Sequence, residues 1–433
     1  MKTRNRLIFL ITTAILLFLI ACSEMLNYYE GLVTAPISVI KVRRSFGNIS
    51  HNADAPFTST SCEDLSSDCA FYNDRLNLCS DIDATRKMGC YKTCNICDVS
   101  LTPVSDKAGF IPVLIASYMR SGSTFTASVI SSYPSSYYLF EPIKKSVEKM
   151  EKNLPIELVN GTTISTINNG AFLAAEFLHG LLTCQYDGLD REALNKLIGT
   201  QSTTPFRICL KRRKKNEQVL QSCLKILQKH CESSKLRVVK TIRVRMRKTV
   251  DILLKKIPGL KVIHLFRDQR PRLLSAEATP LMLATTLVKT ARMECKDAAD
   301  DIAIQRVLKK RHPRQIATLL YERLAENPIR IAMRIFDFIG LSLPEESVKS
   351  IKNMTSSSKE VECAFCVEKR DSAKTANAWR TKSKQNFIKI KMIEEECKTV
   401  QEALGYLPLQ NMDQLRNTSI SLRIDTPFTA DGL

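Results

Sequence analysis

The sequence predicts an α/β fold, a mostly parallel central sheet flanked by helices, preceded by a small disulfide-rich module. Three observations carry this. Short apolar runs alternate with helical patterns from about residue 109 to 410, a glycine-containing turn rich in hydroxyls follows the first of these runs, and six cysteines crowd between Cys62 and Cys97.

Val113-Leu114-Ile115-Ala116 is a continuous apolar run suited to a buried strand. Leu236 to Val244 is β-branched and partly alternating, and Leu260 to Phe266 is a third strand candidate. Helical spacing is read over 217–229, 283–296, 314–325 and 328–339. Strands separated by helices argue for a parallel sheet covered on both faces, with ligands at the ends where strands give way to helices.

The first run leads into Ser117-Tyr118-Met119-Arg120-Ser121-Gly122-Ser123-Thr124-Phe125. A strand, a tight turn and a helix start form an anion cradle, because the first helical N–H groups and the helix dipole both face the ligand. Gly122 lets the backbone approach, Arg120 adds a fixed charge with a fork of donors, and Ser123 and Thr124 can cap the helix. The first glycine and the lysine of the Walker pattern are absent, which argues against a Mg-dependent nucleotide hydrolase or kinase. No His/Asp/Glu grouping calls for a metal.

The formal net charge of +20 on 433 residues favours acidic partners such as phosphates, nucleic acid or polyanionic glycans. The N-terminus narrows this. Lys2, Arg4 and Arg6 precede an uncharged, mostly apolar run from Leu7 to Cys22, roughly 24 Å of helix. Residues 1–22 read as a signal anchor with its basic end in the cytoplasm, and a cleaved signal peptide ending near Ala21-Cys22-Ser23 is the alternative. Either places the rest of the chain in the secretory lumen, so no nucleic-acid partner is expected, and oligomeric state is left open. The 15 cysteines agree, because both groups after the apolar run are even in number. Sequons at Asn48, Asn160, Asn353 and Asn417 add support. Residues 23–60 read as a stem, 61–98 as the cysteine module, 109–410 as the main domain and 411–433 as a C-terminal tail. The basic stretch Lys211 to Lys215, with Arg243, Arg245, Arg247 and Lys248, either attracts an acidic glycan or is a solvated face.

The module is too short for a large core and relies on its disulfides, with fifteen connectivities open from spacing alone. Its end, Met88 to Cys97, resembles the ShKT module. That resemblance implies the pairs Cys62–Cys97, Cys69–Cys90 and Cys79–Cys94. Lys87 lacks an aromatic neighbour, so a spacer or docking role fits better than channel block.

Several ordered motifs in the main domain resemble the Golgi carbohydrate sulfotransferases that act on the 6-hydroxyl of N-acetylglucosamine, galactose or N-acetylgalactosamine. They are the Ser117–Phe125 loop, Leu139-Phe140-Glu141-Pro142, Lys240-Thr241-Ile242-Arg243, Val262 to Arg270, Arg370-Asp371-Ser372, Ala378-Trp379-Arg380 and Leu404-Gly405-Tyr406. The resemblance implies a sulfotransferase-type, P-loop-like fold, 3′-phosphoadenosine 5′-phosphosulfate as co-substrate, and a glycan or glycoprotein acceptor in the Golgi lumen. It assigns Arg120, Ser121, Gly122, Ser123, Thr124 and Phe125 to the 5′-phosphosulfate. Arg267 and Ser275 go to the 3′-phosphate, Arg370 to a late loop over the nucleotide, and Trp379 to that loop's anchor. Glu141 is the candidate base, with Arg120 and Lys240 on the donor or leaving oxygen. His264, mid-strand in an apolar run, reads as a packed residue rather than a rival base. Two positions depart from the family: Gln269 stands where it has Pro, and Ala276 where it has Arg. A catalytically silent secreted binding protein and a tyrosine sulfotransferase are the competing readings.

Overall fold

The computed structural model describes residues 109–212, 217–277, 286–357, 367–381, 387–430 and 432–433, with Ala70, Asn73, Cys79, Thr93 and Cys94 before them. The chain divides into two compact units, Met1–Ser100 and Leu101–Leu433. In the first, Cys79 and Cys94 form a disulfide. This is one of the three pairs the ShKT resemblance implies. Cys62, Cys69, Cys90 and Cys97 lie outside the described residues, as do the 1–22 segment and the 23–60 stem. No helix among the described residues is long and apolar enough to cross a membrane.

The second unit is built on β1 (Ile111–Ser117), β2 (Ser136–Phe140), β3 (Leu236–Thr241), β4 (Lys261–Phe266) and β5 (Ile316–Leu320). They form one sheet in the order β2-β3-β1-β4-β5, and every pairing is parallel. Val113, Leu114, Ile115 and Ala116 are buried. Such a run suits a strand covered on both faces, as the crossovers of a parallel sheet require. Leu114, Leu139, Val239 and Val262 face one helical layer; Val113, Ile115, Val238 and Ile263 face the other. The second layer contains α1 (Ser123–Ser131) and a helix at Pro328–Ile339. Pro328 opens that helix, Gly340 caps it in the left-handed region, and Ile331, Ala332, Ile335, Phe336 and Ile339 form its buried stripe.

Two expectations needed correction. The 314–325 stretch is not one helix: Ile316–Leu320 is β5, and a helix at Tyr321–Glu326 follows it. Periodicity cannot separate a short, mostly apolar run from a buried helix. Strand β2 was not anticipated, because Ser-Tyr-Tyr-Leu-Phe follows turn residues and shows no clean alternation. Helices at Glu217–Ser233 and Pro328–Ile339 agree with expectation, and the 283–296 pattern extends as Leu287–Arg311.

Each sheet edge is covered at its middle residue by other groups, which hinders pairing with another chain. On β2 the Tyr138 N–H donates to Ser202 Oγ at 2.9 Å and the Thr200 hydroxyl donates to the Tyr138 carbonyl at 2.9 Å. On β5 the Leu433 N–H donates to the Thr318 carbonyl at 2.8 Å. The described residues of the 411–433 stretch therefore fold back onto the domain, and the buried Arg380 donates to the carbonyls of Gln414, Leu415, Asn417 and Ile420. Disulfides Cys184–Cys231, Cys209–Cys223 and Cys295–Cys397 staple the helical layers. Cys363 and Cys366 lie outside the described residues.

Behind β4 the chain buries an ionic cluster. Arg270, 0% exposed, pairs with Asp268 at 2.7 Å and Glu394 at 2.8 Å and donates to the Leu407 carbonyl. Glu394 also accepts the Leu409 N–H at 2.9 Å. Replacing Arg270 by Ala removes the cation beside buried Asp268 and leaves Glu394 with the cation of Lys391 alone, at 2.7 Å, so Arg270→Ala is expected to lower unfolding stability by about 3 kcal/mol, read by denaturant titration. An unchanged midpoint would contradict this role.

Candidate active site

The order of the strands fixes where the site lies. From the central β1 the chain crosses to β2 on one side, and later continues through β4 on the other. Loops diverge at such a switch point and leave a crevice at the strand ends. The Arg120 loop occupies it.

The loop's carbonyls are tied down from behind. The Tyr118 carbonyl accepts the Ser121 N–H at 3.2 Å, Met119 O accepts from Arg272 at 3.3 Å, and Arg120 O accepts from Arg267 at 3.0 Å. The opposite side presents the first N–H groups of α1, which have no intrahelical acceptor. Arg120 and Gly122 both adopt left-handed backbone, at φ 64° and 79°. Gly122 is the N-cap of α1 and the helix has no side-chain cap. Ser123 and Thr124 thus do not cap it as anticipated; Ser123 is buried and Thr124 half-buried.

Three buried polar atoms here have no hydrogen-bond partner: Ser117 Oγ, Ser121 Oγ and Arg267 Nε. Buried polar groups are normally satisfied, and two hydroxyls plus a guanidinium N–H are a donor set that fits an anion. Arg120 Nε donates to Ser275 Oγ at 3.0 Å, so Arg120, Arg267 and Ser275 converge on one locus. Arg267 makes no pair with Asp268, which is engaged by Arg270. Gln269 donates to the Arg267 carbonyl at 3.0 Å and accepts from buried Arg272 at 2.7 Å. The departure at Gln269 therefore supports the backbone of Arg267. Ala276 is buried in a cluster with Leu273 and Cys295, where no charged side chain would be solvated.

Tyr321 is a site residue that sequence reasoning missed, since it fell inside the stretch read as one helix. Its ring lies under Gly122, where an added Cβ would sit 2.2 Å from Cδ2. The Arg267 guanidinium lies 4.6 Å from the ring centroid, and Phe125 meets the ring edge-on at 6.5 Å. Next to it, Glu322 accepts the Asp268 N–H at 3.0 Å and the Tyr406 hydroxyl at 2.7 Å. Burial, reinforced by Asp268, pushes the Glu322 carboxyl above its usual range. A strand ending in Tyr-Glu was the available signal, had β5 been recognised.

Glu141 sits at the end of β2 with φ 47° and is 7% exposed. Non-glycine residues persist in that region only when their surroundings enforce it. Glu141 Oε1 accepts from Lys240 Nζ at 2.7 Å and from the Ile242 N–H at 3.1 Å. Oε2 has only longer contacts: Thr241 Oγ1 and Ile242 N at 3.4 Å, and Arg243 Nε at 3.9 Å. Lys144 and Lys145, the next basic residues in the chain, pair with Glu148 rather than Glu141. Lys240 holds Glu141, and no bond from it to the Arg120 loop is seen. Burial pushes the Lys240 ammonium below its ordinary value, and Glu141 opposes that shift.

His264 is buried, bonded through Nδ1 to Gln305 Oε1 at 2.5 Å, and pushed down by burial, as a packed histidine should be. Arg370 is exposed and is not brought onto Arg267 by any bond in the structure. The segment after it is anchored on the Tyr321 helix, where Ser372 Oγ donates to the Ala325 carbonyl at 2.6 Å. Trp379 is half-buried, with the Arg270 guanidinium 5.5 Å from its ring centroid. Arg245 pairs with Asp297, and Arg247 and Lys248 are exposed. Among the described residues no His, Cys, Asp or Glu group is placed to hold a metal ion.

Fold and site together define an α/β protein with an anion cradle at the switch point and a buried carboxylate beside it. The family model described as "Sulfotransferase domain" matches residues 111–414, and the chain belongs to that family. It is 25% identical over 380 residues to mouse carbohydrate sulfotransferase 2, covering 72% of this chain and 68% of that one. It is 24% identical over 349 residues to human carbohydrate sulfotransferase 5, covering 72% and 81%. Among solved structures, a mouse sulfotransferase complexed with PAP aligns at a TM-score of 0.36 and 14% identity, covering 71% of this chain and 86% of that one.

Substituting Gly122 by Ala forces a side chain into left-handed backbone and into the Tyr321 ring. Gly122→Ala is expected to lose at least about 1–2 kcal/mol of stability, measured by thermal unfolding. A variant as stable as the parent would show that the ring does not constrain the loop.

Proposed function

We propose that this sulfotransferase moves a sulfuryl group from 3′-phosphoadenosine 5′-phosphosulfate to a carbohydrate hydroxyl, the 6-hydroxyl of a hexose or N-acetylhexosamine in a glycan. The observation that carries the reading is the pairing of two loci at the strand ends: the Arg120 cradle with its unpartnered Ser117, Ser121 and Arg267 donors, and the Glu141–Lys240 pair. The names of the carbohydrate sulfotransferases it resembles support the acceptor class.

In this scheme the α1 N–H groups, Ser121 and Arg120 hold the 5′-phosphosulfate, and Arg267 with Ser275 holds the 3′-phosphate. The acceptor oxygen attacks sulfur in line while the bond from sulfur to the phosphate oxygen breaks. Negative charge grows on that leaving oxygen, and fixed donors stabilise it without reorganising. The acceptor proton passes to Glu141. Lys240 and the Ile242 N–H engage mainly Oε1, which leaves Oε2 as the oxygen that takes the proton. Lys240 is thus a positioning residue for the base.

The setting we assign is the Golgi lumen, with residues 1–22 as the membrane anchor and 61–98 as an ShKT-like spacer or docking module. The Cys79–Cys94 disulfide supports an oxidising compartment.

The test is the luminal protein with labelled donor, a panel of sulfate-free glycans and a tyrosine peptide. Transfer to glycans is expected, with Glu141→Gln lowering kcat by about 10²–10⁴-fold. Transfer only to the peptide, or to nothing while donor binding is intact, would overturn the acceptor class. Unchanged turnover in Glu141→Gln would remove Glu141 as the base.

A further inference from the structure

Between Asp301 and Glu322 the chain holds no acidic residue and five cations: Arg306, Lys309, Lys310, Arg311 and Arg314. The neighbouring stretch in the sheet, from Ile252 to Arg267, is also free of acid. The two meet at the N-terminal ends of β4 and β5. There the Val262 N–H donates to the Gln315 carbonyl at 2.7 Å, Lys261 Nζ to the Arg314 carbonyl at 2.8 Å, and Gln315 Nε2 to the Leu260 carbonyl at 3.1 Å. The Leu287–Arg311 helix ends at this junction, where the His312 N–H donates to the Leu308 carbonyl at 2.8 Å. Pro313 follows and cannot continue the helix. The turn that carries Arg311 and Arg314 is therefore fixed by the fold.

The charge gathered here is left uncompensated. On other helices exposed lysines pair with carboxylates one turn away, as Lys145 does with Glu148, Lys255 with Asp251 and Lys349 with Glu345. Lys309, Lys310, Arg311 and Arg314 pair with no carboxylate among the described residues. Lys310, Arg311 and Arg314 are exposed and Lys309 is half-buried. Arg306 lies 5.5 Å from the Phe428 ring centroid instead of beside a carboxylate. The helix dipole favours cations in a last turn, but its effect ends there, and Arg314 stands beyond the helix. Like charges four residues apart, as at Arg306 and Lys310, repel. Lys261 opens β4 and Arg267 follows its end, so the cluster stands about 20 Å from the anion cradle at about 3.3 Å per residue of strand.

We propose that this end of the sheet is an exosite that holds a sulfated polysaccharide away from the donor cradle. The site does not depend on the transfer reading; it uses only the luminal setting assigned above, where a nucleic-acid partner is not expected. The guanidinium forks of Arg311 and Arg314 match the paired oxygens of sulfate and carboxylate groups, and the two lysines add mobile point charges. A polyanion repeats its charge along an extended chain, so one polymer engages the helix end and the turn together. A lipid surface fits less well, because a helix lying on a membrane buries an apolar face beside its cations. Here Ile302 and Leu308 face the core, and Val307 alone is exposed among the large apolar residues of 302–311. Contact at this end keeps the protein on a sulfated polymer while the cradle stays open.

Affinity for immobilised heparin tests this, with desulfated heparin and phosphatidylserine vesicles as the other probes. The full luminal protein is used, and an excess of 3′-phosphoadenosine 5′-phosphate keeps the cradle occupied. Thermal unfolding reports that each variant is folded. The wild type is expected to bind heparin in preference to both other probes, and less tightly as salt rises, because a bound polyanion releases its counterions. Replacing Lys309, Lys310 and Arg311 together by Ala is expected to weaken heparin binding at least about tenfold. Arg314→Ala, which leaves the helix untouched, is expected to weaken it in the same direction. Replacing the exposed Arg247 and Lys248 by Ala is expected to leave it near the wild-type value. No heparin binding by the wild type, equal binding of desulfated heparin, or tighter binding to the vesicles would overturn the proposal. So would wild-type affinity in both cluster variants, or an equal loss in the Arg247 and Lys248 variant.

Discussion

One hydrogen bond ties the site together: Arg267, at the end of β4, donates to the carbonyl of Arg120, at the end of β1, at 3.0 Å. The strands that carry these residues are parallel neighbours in register, with Ser117 opposite Leu265. Their loops therefore leave the sheet at the same level. The bond turns the Arg120 carbonyl away from the crevice and leaves the α1 N–H groups as the face presented to a ligand. Tyr321 completes the clasp by lying under Gly122 and against the Arg267 guanidinium. A charged group that braces the loop also supplies positive potential to it, so structure and binding draw on one residue.

The clasp is held from behind by buried charge. Asp268, Gln269, Arg270 and Arg272 follow Arg267 directly, and all are buried. Arg272 reaches Met119 in the donor loop, while Arg270 reaches Glu394 and Leu407 near the end of the domain. Burying two arginines is costly unless polar partners meet their donors; Arg270 meets Asp268, Glu394 and the Leu407 carbonyl, and Arg272 meets Gln269, Glu294 and the Met119 carbonyl while its Nη2 keeps no partner. The 267–272 turn thus links the cradle to the last helices. On the other side of β1, Lys240 near the end of strand β3 stands opposite Phe140 of β2 and fixes the adjacent Glu141. Parallel register again puts the two residues at one level.

Much of this was legible in the sequence because its signals are local. The apolar run before Arg120, the missing Walker residues and the short motifs around Glu141, Lys240 and Arg267 each lie within a short stretch. Other features were not local. Nothing near Lys240 in the chain says that its ammonium pairs with a carboxylate ninety-nine residues away. Tyr321 was hidden because Ile316 to Leu320 is short, buried and apolar except for Thr318, which suits a strand and a helix face equally. The Gln269 substitution looked like a defect in the donor site; its side chain instead supports the Arg267 carbonyl.

The central claim is that Arg120 and Arg267 form one binding locus for a nucleotide with 3′- and 5′-phosphates. Calorimetric titration of 3′-phosphoadenosine 5′-phosphate into the wild type, Arg120→Ala and Arg267→Ala tests it most directly. Each substitution should weaken binding by about tenfold or more, equal to about 1.4 kcal/mol. The double variant should lose less than the sum, because the two residues share a hydrogen bond. Wild-type affinity in Arg267→Ala would contradict the account.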